Sequence, residues 1–180
     1  IAAERALSSY DMRHRLNGNF QIQSPVGPDR TSWRWSILRG WQLNSNITLS
    51  SGRPFTPTVA GDPSGTGIPG QARAQATGLS VIDGSGYFNP LAFVVPMSGT
   101  YGNAGRDTIP GITNFNINAS VLRTFRFHER HQFTFSVTSS NPLNHVNVTQ
   151  IGTVIGSINE GLPLGAASMR TLTAQTRFTF

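Results

Sequence analysis

Cysteine and lysine are both missing from this chain of 180 residues. Without cysteine there is no disulfide framework and no thiolate metal site, and the redox compartment is unconstrained. Without lysine, all 14 basic residues are arginine, so Schiff-base chemistry and the phosphate lysine of a P-loop are excluded. Acid is scarce as well. The eight carboxylates are Glu4, Asp11, Asp29, Asp62, Asp83, Asp107, Glu129 and Glu160, and no two stand at an evident acid/base spacing. No apolar run reaches the ~18 residues of a transmembrane helix, although barrel strands need only about 9–11 alternating residues. The formal charge of +6 is scattered from Arg5 to Arg177. With no dense basic run, solvated or lumen-lining arginines are expected and not a nucleic-acid surface.

What is present is glycine, proline and small polar residues. There are 19 glycines and 11 prolines, against only 12% charged and 37% hydrophobic residues. That composition belongs to an all-β or loop-rich protein. Period-2 alternation, the mark of a two-faced strand, recurs five times. In 9–23 the apolar row is Tyr10, Met12, Leu16, Phe20 and Ile22. In 33–52 it is Trp33, Trp35, Ile37, Trp41, Leu43, Ile47 and Leu49. In 113–127 it is Phe115, Ile117, Ala119, Val121, Phe125 and Phe127. In 131–140 it is Phe133, Phe135 and Val137, and in 169–180 it is Leu172, Ala174, Phe178 and Phe180. The opposing rows are mostly Asn, Gln, Ser, Thr and Arg. The expected fold is all-β: about five long antiparallel up-and-down strands in one sheet unit, with a very long Gly/Pro-rich loop at 53–112 and a medium one at 141–168.

Such strands suit a soluble sandwich, apolar inside, or a membrane barrel, apolar outside. The Asn/Gln/Thr/Ser/Arg rows favour the barrel, and Tyr10, Trp33, Trp35 and Trp41 suit interfacial girdles. The connections at 24–32 and 128–130 are short and the other two long, the alternation of periplasmic turns and outer loops.

Other motifs have bland readings. Gly65, Gly67 and Gly70 fit G-x-G-x-x-G, but Pro63 and Pro69 flank them and no helical period follows, so a loop is expected. His128, Glu129 and His131 sit on a hairpin turn and lack zinc-ligand spacing. Asp62, Asp83 and Asp107 share the long loop without a D-x-D calcium pattern. His145 reads as a loop hydrogen-bonder. Phe55, Tyr87, Phe88, Phe93 and Tyr101 are expected chiefly to pin the long loop, with a partner surface as the other option. The sequons at Asn46, Asn118 and Asn147 read as chance.

"LRGWQLNSNITLSSGRPFTPTVAGD", the stretch from Tyr87 to Val137 containing "GTYGNAGRDTIPG", and "NPLNHVNV" resemble the C-terminal portion of TonB-dependent outer-membrane receptors. The nearest group is the Oar-like receptors with a carboxypeptidase-regulatory-like domain, of Acidobacteria type. The resemblance runs from about Ser8 to Phe180. It implies that Phe180, with Phe178 two before it, occupies the aromatic position read by barrel-assembly machinery. The family barrel has many more strands around a plug, so five strands are expected to form a partial barrel or open sheet completed by other chains. Because the first residue is Ile and no leader precedes it, the chain reads as a processed or excised piece.

The expected function is therefore a non-catalytic β-sheet protein of the bacterial outer membrane or cell surface, not transport-competent alone. The rival is a subunit of an extracellular filament built by strand addition between copies, since open head-to-tail association gives fibres. A secreted hydrolase or ligand-binding sandwich is a third class. No cofactor, metal or nucleic acid is expected. The expected partners are other protein chains, either the rest of a barrel or identical copies, with membrane contact and a homo-oligomer or polymer in view. Leu172, Ala174, Phe178 and Phe180 form the assembly strand. Trp41, Leu43, Ile47, Leu49, Phe115, Ile117, Val121, Phe125, Phe127, Phe133, Phe135 and Val137 face lipid or neighbouring subunits.

Overall fold

The computed structural model describes residues 5–24, 39–70, 72–84, 86–127 and 131–180. Its strands are β1 (Arg15–Gln23), β2 (Trp41–Phe55), β3 (Thr58–Val59), β4 (Gln75–Ala76), β5 (Phe93–Val94), β6 (Ile109–Phe127), β7 (His131–Ser140), β8 (Val148–Ile151), β9 (Val154–Ile155), β10 (Pro163–Ala166) and β11 (Thr171–Thr179). Five of them form one sheet in the order β1-β2-β6-β7-β11. Among the described residues no helix is long and apolar enough to cross a membrane.

The alternation in the sequence sets the register of this sheet, because a one-residue slip would exchange its faces. Antiparallel pairing places Val121 opposite Val137 and Phe125 opposite Phe133. It continues outward, with Ala174 opposite Val137 and Phe178 opposite Phe133. Between β1 and β2, Asn46 Nδ2 donates to Asn19 Oδ1 at 2.7 Å and Thr48 Oγ1 to Asn17 Oδ1 at 3.2 Å. Residue numbers thus fall on one strand as they rise on the other, as antiparallel neighbours require.

The five-strand reading holds, with shifted ends. β1 begins at Arg15, after a turn at Ser9 and Tyr10 and four residues outside any strand, and β2 runs from Trp41, where Arg39 and Gly40 form a turn, to Phe55. β6 starts at Ile109. Pro54 and Pro110 lie in the extended ends of β2 and β6, and proline in a run argues against a central strand. Gly52 and Gly111 explain how those ends come together. A Cβ on Gly52 would strike the Ile112 backbone, and one on Gly111 the Arg53 carbonyl. Trp33, Trp35 and Ile37, and the turn with His128 and Glu129, lie outside the described residues.

The chain divides into two compact units. The strand unit comprises Leu16–Leu49, Phe115–Val146 and Ser168–Phe180. The loop unit comprises Ile1–Arg15, Ser50–Asn114 and Asn147–Ala167. Among the described residues the ten buried core hydrophobics all belong to the loop unit: Val59, Ala74, Phe88, Ala92, Phe93, Ala104, Ile109, Val148, Ile151 and Ile155. Phe88 and Phe93 meet edge-to-face there, with ring centroids 6.2 Å apart.

The two long connections thus hold more structure than their composition announces. β3 pairs in parallel with β9, whereas β4 with β5 and β10 with β8 form antiparallel pairs. Strands of two to four residues are too short to show a period, and only their packing defines them. Asn89 caps a single 3-10 turn, Pro90–Ala92, by accepting from the Leu91 amide.

Candidate functional site

The strand unit offers a surface and not a cleft. On one side stand the aliphatic and aromatic rows. None of the described residues placed there from sequence joins the buried core. Leu43, Leu49, Phe127, Leu172, Phe178 and Phe180 are exposed, Phe180 at 89%. Trp41, Ile47, Phe115, Ile117, Val121, Phe125, Phe133, Phe135 and Val137 are half-buried by their strand neighbours, and Ala174 is exposed. In a water-soluble sheet this side would be covered.

Aromatic rings concentrate toward the strand ends flanking residues 128–130. Phe125 stacks with Phe127 at 6.5 Å and tilts against Phe133 at 6.1 Å. His131 stacks with Phe178 at 5.9 Å, and Phe178 with Phe180 at 6.2 Å. His131 is therefore part of an aromatic ladder. In the β6 row one cation interrupts the apolar residues. Arg123 lies between Val121 and Phe125 in β6, opposite Phe135 in β7. Its guanidinium carbon is 4.4 Å from the Phe125 ring centroid and 5.5 Å from that of Trp41. The alternating pattern passes over this residue as a gap in the row.

The opposite side is polar, with Arg126 and Arg177 among its amides and hydroxyls. Asn44 Nδ2 donates to Ser120 Oγ at 3.4 Å, Gln42 Nε2 to Asn44 Oδ1 at 3.0 Å, and the Thr124 and Thr134 hydroxyls are 3.1 Å apart. Asn19, Gln21, Asn44, Asn46, Asn118 and Ser120 line an open concavity of about 510 Å³. A wall of amides and hydroxyls hydrogen-bonds to water or to a polar filling, and it contains no acid, base or nucleophile pair. The mid-strand positions of Asn46 and Asn118 follow from this wall.

Both sheet edges are open among the described residues. β1 and β11 each have one neighbour. Every residue of β11 is exposed, so the row of expected assembly residues borders unpaired backbone, which is a template for another strand.

Three polar knots hold the connections, and all three fall in motifs singled out above. In "NPLNH", Asn141 has φ 50° and is buried. Its Oδ1 accepts from the His145 amide at 2.9 Å. Its Nδ2 donates to the His145 carbonyl at 2.8 Å and to the Ser168 carbonyl at 3.4 Å. Asn144 Oδ1 accepts from the Arg170 amide at 3.1 Å, which fixes the approach to β11. His145 itself packs edge-on to Phe115 at 5.8 Å.

In the loop unit, Thr56 of "SGRPFT" and Asp107 of "GTYGNAGRDTIPG" clasp each other. The Thr56 hydroxyl donates to Asp107 Oδ1, and the Asp107 amide donates to Thr56 Oγ1, both at 3.0 Å. The other carboxylate oxygen is buried with no hydrogen bond, but it lies 3.7 Å from Arg106 Nε. At that distance the two ions attract without a directed bond.

Asp62 organises the glycine-rich loop. It accepts from the Thr66 and Gly67 amides and from the Ser64 and Thr66 hydroxyls. Desolvation acts to raise its pKa, but these four bonds to the charged form prevail and hold the carboxyl below its ordinary value. Gly65, Gly67 and Gly70 all have positive φ in this turn, and no helix follows. Among the described residues no group of three His, Asp or Glu is arranged to hold a metal ion. Asp62, Asp83 and Asp107 are not brought together into one.

A family model described as "Outer membrane beta barrel domain" matches residues 1–175. No curated protein and no solved structure matches the chain.

Proposed function

The chain belongs to the outer membrane beta barrel domain family, with an outer-membrane location, and from that premise we propose that it is a non-catalytic stretch of barrel wall. In this reading the apolar rows face lipid, the amide wall faces the lumen, and the parent barrel is of the TonB-dependent, Oar-like receptor kind. The observation that carries it is the placement of burial. Among the described residues every buried core hydrophobic lies in the loop unit, while the strand unit keeps its aromatic side uncovered. That is the inverse of a soluble sheet and the normal state of a barrel wall.

The connections support the same reading. Three residues separate β6 from β7, whereas long structured segments separate β2 from β6 and β7 from β11. By the rule of outer-membrane barrels, the short turn is periplasmic and the long loops are external. A five-stranded open sheet encloses no lumen, so transport belongs to a larger assembly. Its partners in this reading are protein strands that pair with β1 and β11. They come from the remainder of a barrel or from other copies, and nucleic acid has no role.

The open β11 edge also favours a second reading, strand addition between identical copies into an extracellular filament. Electron microscopy of purified material, with and without detergent, separates the two. A detergent-dependent particle containing further barrel strands is expected. Detergent-independent helical polymers with the aromatic rows between subunits would replace the membrane reading by the filament. In either case, deleting Phe178–Phe180 should lower the assembled fraction.

A further inference from the structure

We propose that the open edge of β11 takes up an antiparallel strand patterned like β7, and that a second copy of this chain does not supply it. The proposal rests on the reading of the sheet as barrel wall. Among the described residues β11 has one neighbour, β7. Strand direction decides what the other can be. The Asn46–Asn19 and Thr48–Asn17 bonds set β1 against β2. Asn44 reaches Ser120 while Gly52 abuts Ile112, so β2 runs against β6. β6 runs against β7, and β7 against β11. After these four reversals β11 runs the same way as β1. A copy in the same membrane orientation would therefore offer its β1 parallel to β11, whereas outer-membrane barrel walls are antiparallel. A copy rotated half a turn within the sheet would offer β11 to β11, antiparallel. It would also carry its 128–130 connection to the opposite side of the membrane.

The backbone fixes which row meets the partner. The Asn141 amide donates to the Ile117 carbonyl at 2.8 Å, one step beyond the Asn118–Ser140 pair. Odd-numbered residues of β7 thus turn their N–H and C=O groups to β6. Even-numbered ones turn theirs to β11, because the direction alternates along a strand. Ser136 lies opposite Gln175, and Thr138 opposite Thr173, so the odd residues of β11 are the ones bonded to β7. The groups of Leu172, Ala174, Thr176 and Phe178 are left for the open edge. β6 presents the same arrangement to β7, with its odd row, Val121 and Phe125, opposite Val137 and Phe133. An edge that repeats that of β6 fits a strand that repeats β7.

The test reconstitutes the full chain into phospholipid vesicles, with insertion read by protease protection. The probe is a synthetic peptide of the β7 sequence, 131–140. It should slow amide exchange at Ala174 and Thr176 and leave Thr173 and Gln175, already bonded to β7, unchanged. Thr176→Pro removes one edge N–H, at a position where an edge strand tolerates proline. It should weaken peptide binding about fivefold, the effect of one lost hydrogen bond. Thr176→Val keeps the N–H and should bind as the wild type does. The exchange pattern of the wild type carries the comparison if Thr176→Pro does not insert. An Ala174→Cys chain, otherwise free of cysteine, should form no disulfide with its own copies. Slowing at odd and even residues alike, no slowing at all, or disulfide-linked copies at position 174 overturns the proposal while leaving the barrel-wall reading intact. Failure of the wild type to insert overturns both.

Discussion

Asn141→Ala should be among the most damaging single substitutions in the strand unit. Three side-chain bonds are lost, two of good length at 2.8 and 2.9 Å and one weak at 3.4 Å. At about 1 kcal/mol net per sound bond, their loss costs about 2 kcal/mol. The backbone adds a second term, because φ is 50° and a left-handed conformation costs an alanine about 1 kcal/mol. The expected total is about 3 kcal/mol. Asn141→Gly removes the same bonds but tolerates the backbone, so it should cost about 2 kcal/mol. The assay is guanidinium unfolding of the bilayer-reconstituted chain, followed by tryptophan fluorescence. A glycine variant no better than the alanine variant would refute the backbone term. Losses below about 0.5 kcal/mol in both, the level of a neutral surface change, would refute the knot itself.

Gly111→Ala should destabilise by about 1–3 kcal/mol, the cost of overpacking, because its Cβ would enter the Arg53 backbone. Gly18→Ala, whose Cβ would meet only the Phe20 ring at 3.2 Å, should be near-neutral in the same unfolding assay. The Asp62 turn should respond to acid in a defined way. Its carboxyl is held below the ordinary value of 3.8. A depressed folded-state pKa contributes stability above the unfolded value, and that contribution disappears as pH falls through the folded value. Hydrogen exchange at the Thr66 and Gly67 amides should therefore stay slow from neutral pH to about pH 4 and accelerate only below it. Acceleration already near pH 6 would contradict the assigned bonds.

The long strands were legible because alternation runs through them over many residues. Phe133, Phe135 and Val137 mark β7 to the residue, and Phe115 to Phe127 mark most of β6. The strand ends were less legible. Gly52, Pro54, Pro110 and Gly111 interrupt the pattern where β2 and β6 extend. The core was hidden for a different reason. Val59, Ile151 and Ile155 come from strands of two to four residues in two separate connections, and nothing local announces that Thr58–Val59 pairs with Val154–Ile155. Of the loop aromatics, Phe88 and Phe93 are buried as pins, whereas Tyr101 is exposed. Arg123 falls in the odd-numbered row of β6, where a count of apolar matches skips the exception. An arginine inside an otherwise apolar row was the available signal.

The central claim is that the odd-numbered row of β6 faces lipid and the even-numbered row does not. Val121 stands at the middle of the row from Phe115 to Phe127, and Ser120, beside it, turns to the amide wall. Folding free energy in bilayers should therefore fall by about 2–4 kcal/mol for Val121→Arg, the cost of arginine on a lipid face near the midplane. For Ser120→Arg it should change by less than about 1 kcal/mol. Equal losses at the two positions, or the larger loss at Ser120, would contradict the account.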